Sequence, residues 1–341
     1  MSKNHYIIPI FVPFEGCPHQ CVFCNQDRIT GIKDRVDGEK VRNIIKDYYE
    51  TIDNKDAMIE VSFFGGTFTA INEKKQRELL SVAKEFKDLG IVKKIRMSTR
   101  PDAITDYILS YLLDYSVDII ELGVQSLDDD VLKAAGRGHT AFDVYTASKL
   151  IKKYGIILGH QLMPGLPRST MEKDILSAEK SISMKPDLIR IYPSLVIKDT
   201  PMEIMYLRGE YKPYSLEEGV EVSKEIYKLY KKAGINIIRV GLQPTDSINV
   251  GGDIVSGPFH PAFRELVESS IINEKIMENL KETKCGKINI NSRDVSKLYA
   301  NKKFYFKKLS ENGYKVKVEI DDNMEKGKIS LTLEKNIILD I

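Results

Sequence analysis

The sequence predicts an α/β fold built on a parallel sheet, and three observations carry that expectation. Short apolar runs alternate with amphipathic stretches along most of the chain. The alternation repeats about every thirty residues, the length of one strand-plus-helix unit. Capping and turn residues punctuate the boundaries between the stretches. With 341 residues the chain has room for one large domain and a small appendage. Its 42% hydrophobic and 29% charged residues are ordinary for a globular protein, and a net charge of +2 makes no demand for a polyanionic partner.

Taken in order, strand 5–12 opens the chain and runs into a cysteine-bearing loop. Helix 37–52 follows, with Val41, Ile44, Ile45, Tyr48, Tyr49 and Ile52 at helical spacing. Then come strand 58–64, helix 73–89 behind an Asn72 cap, strand 94–98, helix 105–115 and strand 117–124. Helix 140–154 closed by Gly155, strand 156–163, helix 170–184, strand 188–192, helix 215–233 closed by Gly234, and strand 235–240 complete the series. Periodicity leaves open whether the sheet is flat or curled into a barrel. In either form, functional groups collect on the loops after the carboxyl ends of the strands. Residues 1–245 form this core, and 246–284 a glycine-rich closing loop (Asn249 to Asp253, Gly257 to Pro261) and helices. Residues 285–341 form a small lysine-rich β appendage, whose runs 303–309, 314–320, 328–333 and 336–341 read as an antiparallel sheet. The amino terminus has apolar residues at 6–12, but Pro9 and Pro13 interrupt it and no small-residue cleavage site follows. No run approaches the length of a membrane span, so the chain reads as cytoplasmic, with no membrane partner.

Three of the four cysteines lie within eight residues, Cys17-Pro-His-Gln-Cys21-Val-Phe-Cys24. That is no disulfide framework; clustered thiolates are soft ligands for iron–sulfur clusters, zinc or copper(I). A cubane cluster ordinarily takes four thiolates, so three on one loop leave one iron open to another ligand. The alternative is a structural zinc site with His19 or Cys285 as fourth ligand, although such sites usually come as two spaced ligand pairs. Cys285 otherwise reads as a free thiol.

Further motifs sit after successive strands. Phe63-Phe64-Gly65-Gly66-Thr67-Phe68-Thr69 follows the second, and its paired glycines let backbone approach a ligand. It is neither a dinucleotide fingerprint nor a P-loop. Ser98-Thr99-Arg100-Pro101-Asp102 follows the third and Glu121-Leu122-Gly123-Val124-Gln125-Ser126 the fourth, with Arg137-Gly138-His139-Thr140 before the next helix. Arginine offers a forked donor set for a carboxylate, and Gln125 suits a ribose hydroxyl or a substrate group. Singly, each of these polar residues also reads as a helix cap or surface loop. His160 carries no assigned role and reads as an interior histidine.

The CxxxCxxC triplet with aromatic Phe23 resembles the signature of the radical S-adenosylmethionine (SAM) enzymes. The resemblance implies a partial (βα)6 barrel with a 4Fe-4S cluster on Cys17, Cys21 and Cys24. It implies that S-adenosyl-L-methionine chelates the open iron, with Phe23, Gly65, Gly66, Thr67, Ser98, Gln125 and Arg137 around it. It also implies a low-potential electron donor, ferredoxin or flavodoxin, and reductive cleavage of SAM to methionine and a 5'-deoxyadenosyl radical. The motif order continues through Met163-Pro164-Gly165-Leu166-Pro167, Ile191 to Ile197 and Tyr206 to Pro213. In that order, over about residues 5–270, the chain is similar to the radical SAM half of the Elongator catalytic subunit, which implies tRNA as substrate. Two departures bear on substrate. Elongator spaces its first two cysteines more widely, the tight spacing here matching oxygen-independent coproporphyrinogen oxidase and many others. The chain also ends at Ile341, with no acetyltransferase domain expected.

Residues 281–317 hold eleven Lys or Arg against Glu282, Asp294 and Glu311, interleaved with Tyr299, Phe304, Tyr305, Phe306 and Tyr314. Cations can neutralise phosphates and aromatics can stack on bases, so this stretch reads either as an RNA-binding face or as a solvated lysine-rich sheet whose aromatics form its core. The other functional readings are radical chemistry on a small molecule or porphyrin, and a non-catalytic RNA-binding protein held by zinc.

Overall fold

The computed structural model describes residues 4–12, 15–17, 19–25, 28, 35–245, 247–249, 251–332 and 336–340. Pro18, Val250 and Ile341, which belong to stretches singled out above, lie outside the described residues. Strands β1 (His5–Val12), β2 (Met58–Gly65), β3 (Lys94–Thr99), β4 (Ile119–Gln125), β5 (Ile157–Leu162), β6 (Leu188–Ile191) and β8 (Asn236–Val240) pair side by side, all parallel. Strand β7 (Val196–Ile197) pairs instead with β9 (Ile254–Ser256) in a two-stranded sheet. Among the described residues β8 does not pair with β1, so the seven-stranded sheet is a partial barrel.

The helices are α1 (Gly38–Glu50), α2 (Glu73–Asp88), α3 (Asp106–Asp114), α4 (Asp129–Ala134), α5 (Ala141–Lys153), α6 (Met171–Ser183), α7 (Pro201–Leu207), α8 (Leu216–Lys232) and α9 (Phe263–Asn279), then α10 (Val295–Leu298) and α11 (Ala300–Glu311). The expected caps are in place. Asn72 Oδ1 accepts from the Lys74 amide at 3.0 Å, and Gly155 and Gly234 follow α5 and α8 with φ of 70° and 72°. No helix among the described residues is long and apolar enough to cross a membrane.

Strand alternation sorts side chains into two layers. Ile59, Val61 and Phe63 of β2, Ile95 and Met97 of β3, Ile120 and Leu122 of β4, and Ile189 and Ile191 of β6 belong to one large apolar core. It also holds Leu79 and Leu80 of α2, Leu109 and Leu112 of α3, and Val220 and Ile226 of α8. The alternate positions are polar: Glu60, Arg96, Glu121 and Arg190 are buried and joined by ion pairs. His160, off that polar face, is fully buried between Ser148 Oγ (2.9 Å) and Ser181 Oγ (2.7 Å).

The carboxyl-terminal part departs from expectation in two ways. Residues 303–309 are not a strand but lie within α11, because Phe306 and Leu309 bury one helical face while Tyr305 packs on the barrel core. A short apolar run does not discriminate strand from helix. The appendage sheet is also mixed rather than antiparallel: β10 (Cys285–Ile290) pairs parallel with β11 (Lys315–Ile320) and antiparallel with β12 (Lys328–Thr332), which pairs with β13 (Asn336–Asp340). The parallel pair follows from the intervening helix, which acts as a crossover. Helix α9 belongs to both cores, through Phe263, Leu266 and Val267 to the barrel and through Ile272, Ile276 and Leu280 to the appendage.

Candidate active site

A cavity of about 610 Å³ opens at the carboxyl end of the sheet. Cys17, Cys21, Cys24, Phe23, Gly65, Gly66, Thr67, Ser98, Gln125 and Arg137 all line it. The ten residues expected from sequence, scattered over 121 positions from Cys17 to Arg137, are thus brought to one place.

The cysteine loop is held from both sides. The Val22 amide donates to the Ala135 carbonyl at the end of α4 (3.1 Å), and the Met202 amide of α7 donates to the Val22 carbonyl (2.9 Å). Cys21 and Phe23 pack with Val131, Ala135, Leu166, Val196, Met202 and Tyr211 in a small apolar cluster of their own. The paired glycines support the same loop. A Cβ on Gly66 would stand 2.2 Å from the Glu15 carbonyl oxygen, and one on Gly65 2.7 Å from that of Val12. Their lack of side chains therefore lets the backbone leading to Cys17 lie against β2, besides exposing backbone to the cavity.

Two thiols have polar neighbours: Cys17 Sγ lies 3.3 Å from Thr67 Oγ1, and Arg137 Nη1 donates to Cys21 Sγ at 3.2 Å. Among the described residues no three His, Cys, Asp or Glu side chains are gathered closely enough to hold a metal ion. Arg137 Nη2 donates to the Gly123 carbonyl (2.6 Å), while its buried Nε has no protein partner. Arg100, the other forked donor on the cavity wall, is spent on Asp102 (2.9 and 2.8 Å) and on the Arg137 carbonyl. The carboxylate-binding role expected of arginine thus falls to Arg137. Nearby, burial and the Arg137 and Arg100 charges push the His139 imidazole down to about 3, so it is neutral. Three soft thiolate donors, one unmatched guanidinium N–H and glycine backbone in a single cavity fit an iron–sulfur cluster with a carboxylate-bearing ligand.

Gln125 ends β4 with φ +65°, a left-handed conformation that costs a non-glycine residue about 1 kcal/mol, and it sits at a register break between β4 and β5. Gln161 Nε2 reaches its Oε1 at 3.4 Å. Glu121 forms part of the cavity wall. Burial works against its charge, but Arg190 and then Arg96 hold the carboxyl below its ordinary value. Sequence reasoning passed over His19, Gln161, Tyr192, Leu195 and Leu242, which also line the cavity. Position at a strand's carboxyl end was the available signal for Gln161 and Tyr192. The far sequence position of Leu242 left none.

Comparison with known proteins follows the same outline. The radical SAM superfamily model matches residues 11–178, and the radical SAM C-terminal domain model matches 186–273. The tRNA uridine(34) acetyltransferase of Methanocaldococcus infernus is 29% identical over 259 residues, 63% of this chain and 48% of that protein, so the chain spans about half of that relative. An uncharacterised protein of Methanocaldococcus jannaschii is 31% identical over 65% of this chain and 70% of its own length. The solved structure of the archaeal Methanocaldococcus infernus Elp3 with an amino-terminal deletion superposes with a TM-score of 0.63 and 26% identity, covering 82% of this chain and 64% of that one. The cavity, its three cysteines and these matches together make the chain an enzyme of the radical SAM superfamily, related to Elp3, with a 4Fe-4S cluster and S-adenosyl-L-methionine as its cofactors.

Proposed function

We propose that the enzyme modifies RNA, and specifically a base of tRNA. The observation that carries this reading is the similarity to a protein named for tRNA uridine(34), over the part of the chain that builds the cavity. Cys17, Cys21 and Cys24 would hold the cluster. Phe23, Gly65, Gly66, Thr67 and Ser98 would flank S-adenosylmethionine, with Arg137 Nε toward its carboxylate and Gln125 at the seam between cofactor and substrate. When bound, cluster and cofactor supply one-electron cleavage of a sulfonium bond and a carbon radical able to abstract hydrogen. The protein's part is to orient the reactants and keep water and side reactions out.

That exclusion has a structural basis in the segments closing the mouth. β7 pairs with β9, Ile248 is buried with Leu195 and Ile197, and Lys198 Nζ donates to the Gly252 carbonyl (2.7 Å). Arg28, just after the cysteine loop, reaches Asp199 and Asp253, tying that loop to the same segments. A low-potential electron donor, ferredoxin or flavodoxin, would complete the cycle. The test is isotopic. Deuterated tRNA fractions should pass deuterium into 5'-deoxyadenosine, read by mass spectrometry. Transfer from the small-molecule fraction alone contradicts the RNA reading.

A further inference from the structure

A ladder of buried ions runs across the inward face of the sheet and ends on one cavity residue. His5 Nε2 lies 3.1 Å from Glu60 Oε1, and Arg96 donates to Glu60 Oε2 through Nε (2.9 Å) and Nη2 (2.6 Å). Arg96 Nη1 donates to Glu121 Oε1 (2.7 Å), and Arg190 grips Glu121 through Nε (2.5 Å) and Nη2 (3.0 Å). The Arg190 nitrogen left over, Nη1, donates to the Tyr192 phenol oxygen at 3.2 Å. The side chains from Glu60 to Arg190 are at most 11% exposed, so the guanidinium that holds Tyr192 has no room to turn.

The direction of that last bond has a consequence. A guanidinium only donates, so the phenol oxygen accepts, and the one proton that Tyr192 carries remains to be donated. Among the described residues nothing accepts it, and Tyr192 lines the cavity. Leu195, Ile197 and Leu242, from the segments that follow it, add apolar wall. Arg100 lines the cavity but is committed to Asp102, and Arg137 is beside Cys21. The wall around Tyr192 thus offers apolar surface and one neutral donor. It suits neither a phosphate, which wants cations, nor an ammonium, which wants acceptors.

Building on the RNA reading above, we propose that Tyr192 is a substrate-reading residue whose phenol donates to a carbonyl oxygen of a pyrimidine base, held against the apolar wall while the phosphates stay outside. A base taken out of a single-stranded loop meets these demands: it is flat, uncharged and bears carbonyl acceptors.

The test is an atom exchange on both partners. Anaerobic holoenzyme is titrated with a fluorescent anticodon stem-loop RNA carrying uridine, 2-thiouridine or 4-thiouridine at the loop position, sulfur being the weaker acceptor. For the parent protein, one of the two thio substitutions should weaken binding about five- to tenfold, the range of a single neutral hydrogen bond. Tyr192→Phe should bind the uridine RNA five- to tenfold more weakly and be indifferent to that sulfur. Equal binding of uridine RNA by Tyr192→Phe and parent, or a thio penalty that persists in Tyr192→Phe, overturns the assignment. If the parent binds none of the RNAs, the RNA reading fails and the assignment with it, a result distinct from tight binding that ignores the phenol.

Discussion

The cavity rim and the appendage both announce chemistry in their composition, one through clustered thiols and the other through lysines set among aromatics, yet the fold treats them differently. At the rim the announced residues converge on one space. In the appendage the aromatics turn inward: Tyr314 is buried, Tyr299 and Phe306 pack on the appendage core, and Tyr305 packs on the barrel. Lysine ammoniums cover the rings, with Lys284 3.9 Å from the Tyr314 centroid, Lys303 4.3 Å from Tyr299 and Lys308 4.5 Å from Phe304. The faces a base would stack on are therefore taken, and what the appendage leaves to a partner is exposed charge. Close spacing on one loop is a local constraint that folding preserves. Composition averaged over a longer stretch says nothing of which side chains face out.

The largest expected effect tests that contrast directly. Cys17→Ala, Cys21→Ala or Cys24→Ala should each abolish iron retention and SAM cleavage, because three thiolates leave no spare ligand. Cys285→Ala, on an exposed strand of the appendage, should leave both intact. Normal iron content in Cys21→Ala protein contradicts the rim assignment.

Next comes a pair of glycines. Gly66→Val places a branched side chain against the Glu15 carbonyl and should displace the loop that carries Cys17, lowering iron content and SAM affinity together. Gly313→Ala, where φ is 80° but no atom lies within 4 Å, should cost only about 1 kcal/mol in thermal unfolding, with cofactor binding unchanged. Iron and SAM at parental levels in Gly66→Val protein would show that the loop does not depend on that close approach.

A subtler change concerns the exposed charges. Replacing Lys302, Lys303, Lys307 and Lys308 by Glu should lower the salt dependence of RNA binding by roughly three units of slope, at about 0.7 per lost phosphate contact. Since the aromatics are occupied, the loss should be the same for every RNA sequence. An unchanged slope makes this stretch a solvated face.

The smallest effect belongs to the barrel interior. Burial pushes the His160 imidazole down to about 3, so between its ordinary value near 6.5 and that point the unfolded chain binds the extra proton. Its contribution to stability is full above about 6.5 and declines as pH falls toward 3. Asp174, pushed up to about 6 mainly by burial, works in the opposite sense between about 4 and 6. His160→Gln should flatten the acid side of the stability profile measured by chemical denaturation. An unaltered profile would mean that the imidazole titrates freely.

How much was legible in the sequence follows the same division. The outward faces of the strands and the helices that cover them were readable because their periodicity is written in consecutive residues. So were the ten rim residues, which lie on loops tied to strand ends. The ladder from Glu60 to Tyr192 was not: its members stand at alternate strand positions, but which meets which depends on register between strands, such as Ser98 opposite Glu121 and Gln161 opposite Arg190. Helices α4 and α7, six and seven residues long, are too short to show a period, yet they hold the cysteine loop. The role of Gly66 was half visible, since the Glu15 backbone that occupies its missing side chain comes from another loop.

The most direct measurement is the metal and product analysis of protein purified and reconstituted without oxygen. A cysteine loop that holds a cluster and leaves an iron for S-adenosylmethionine predicts iron and sulfide in equal amounts, little zinc, and methionine with 5'-deoxyadenosine formed only when a reductant is added. Stoichiometric zinc without sulfide, or intact S-adenosylmethionine after reduction, would contradict it.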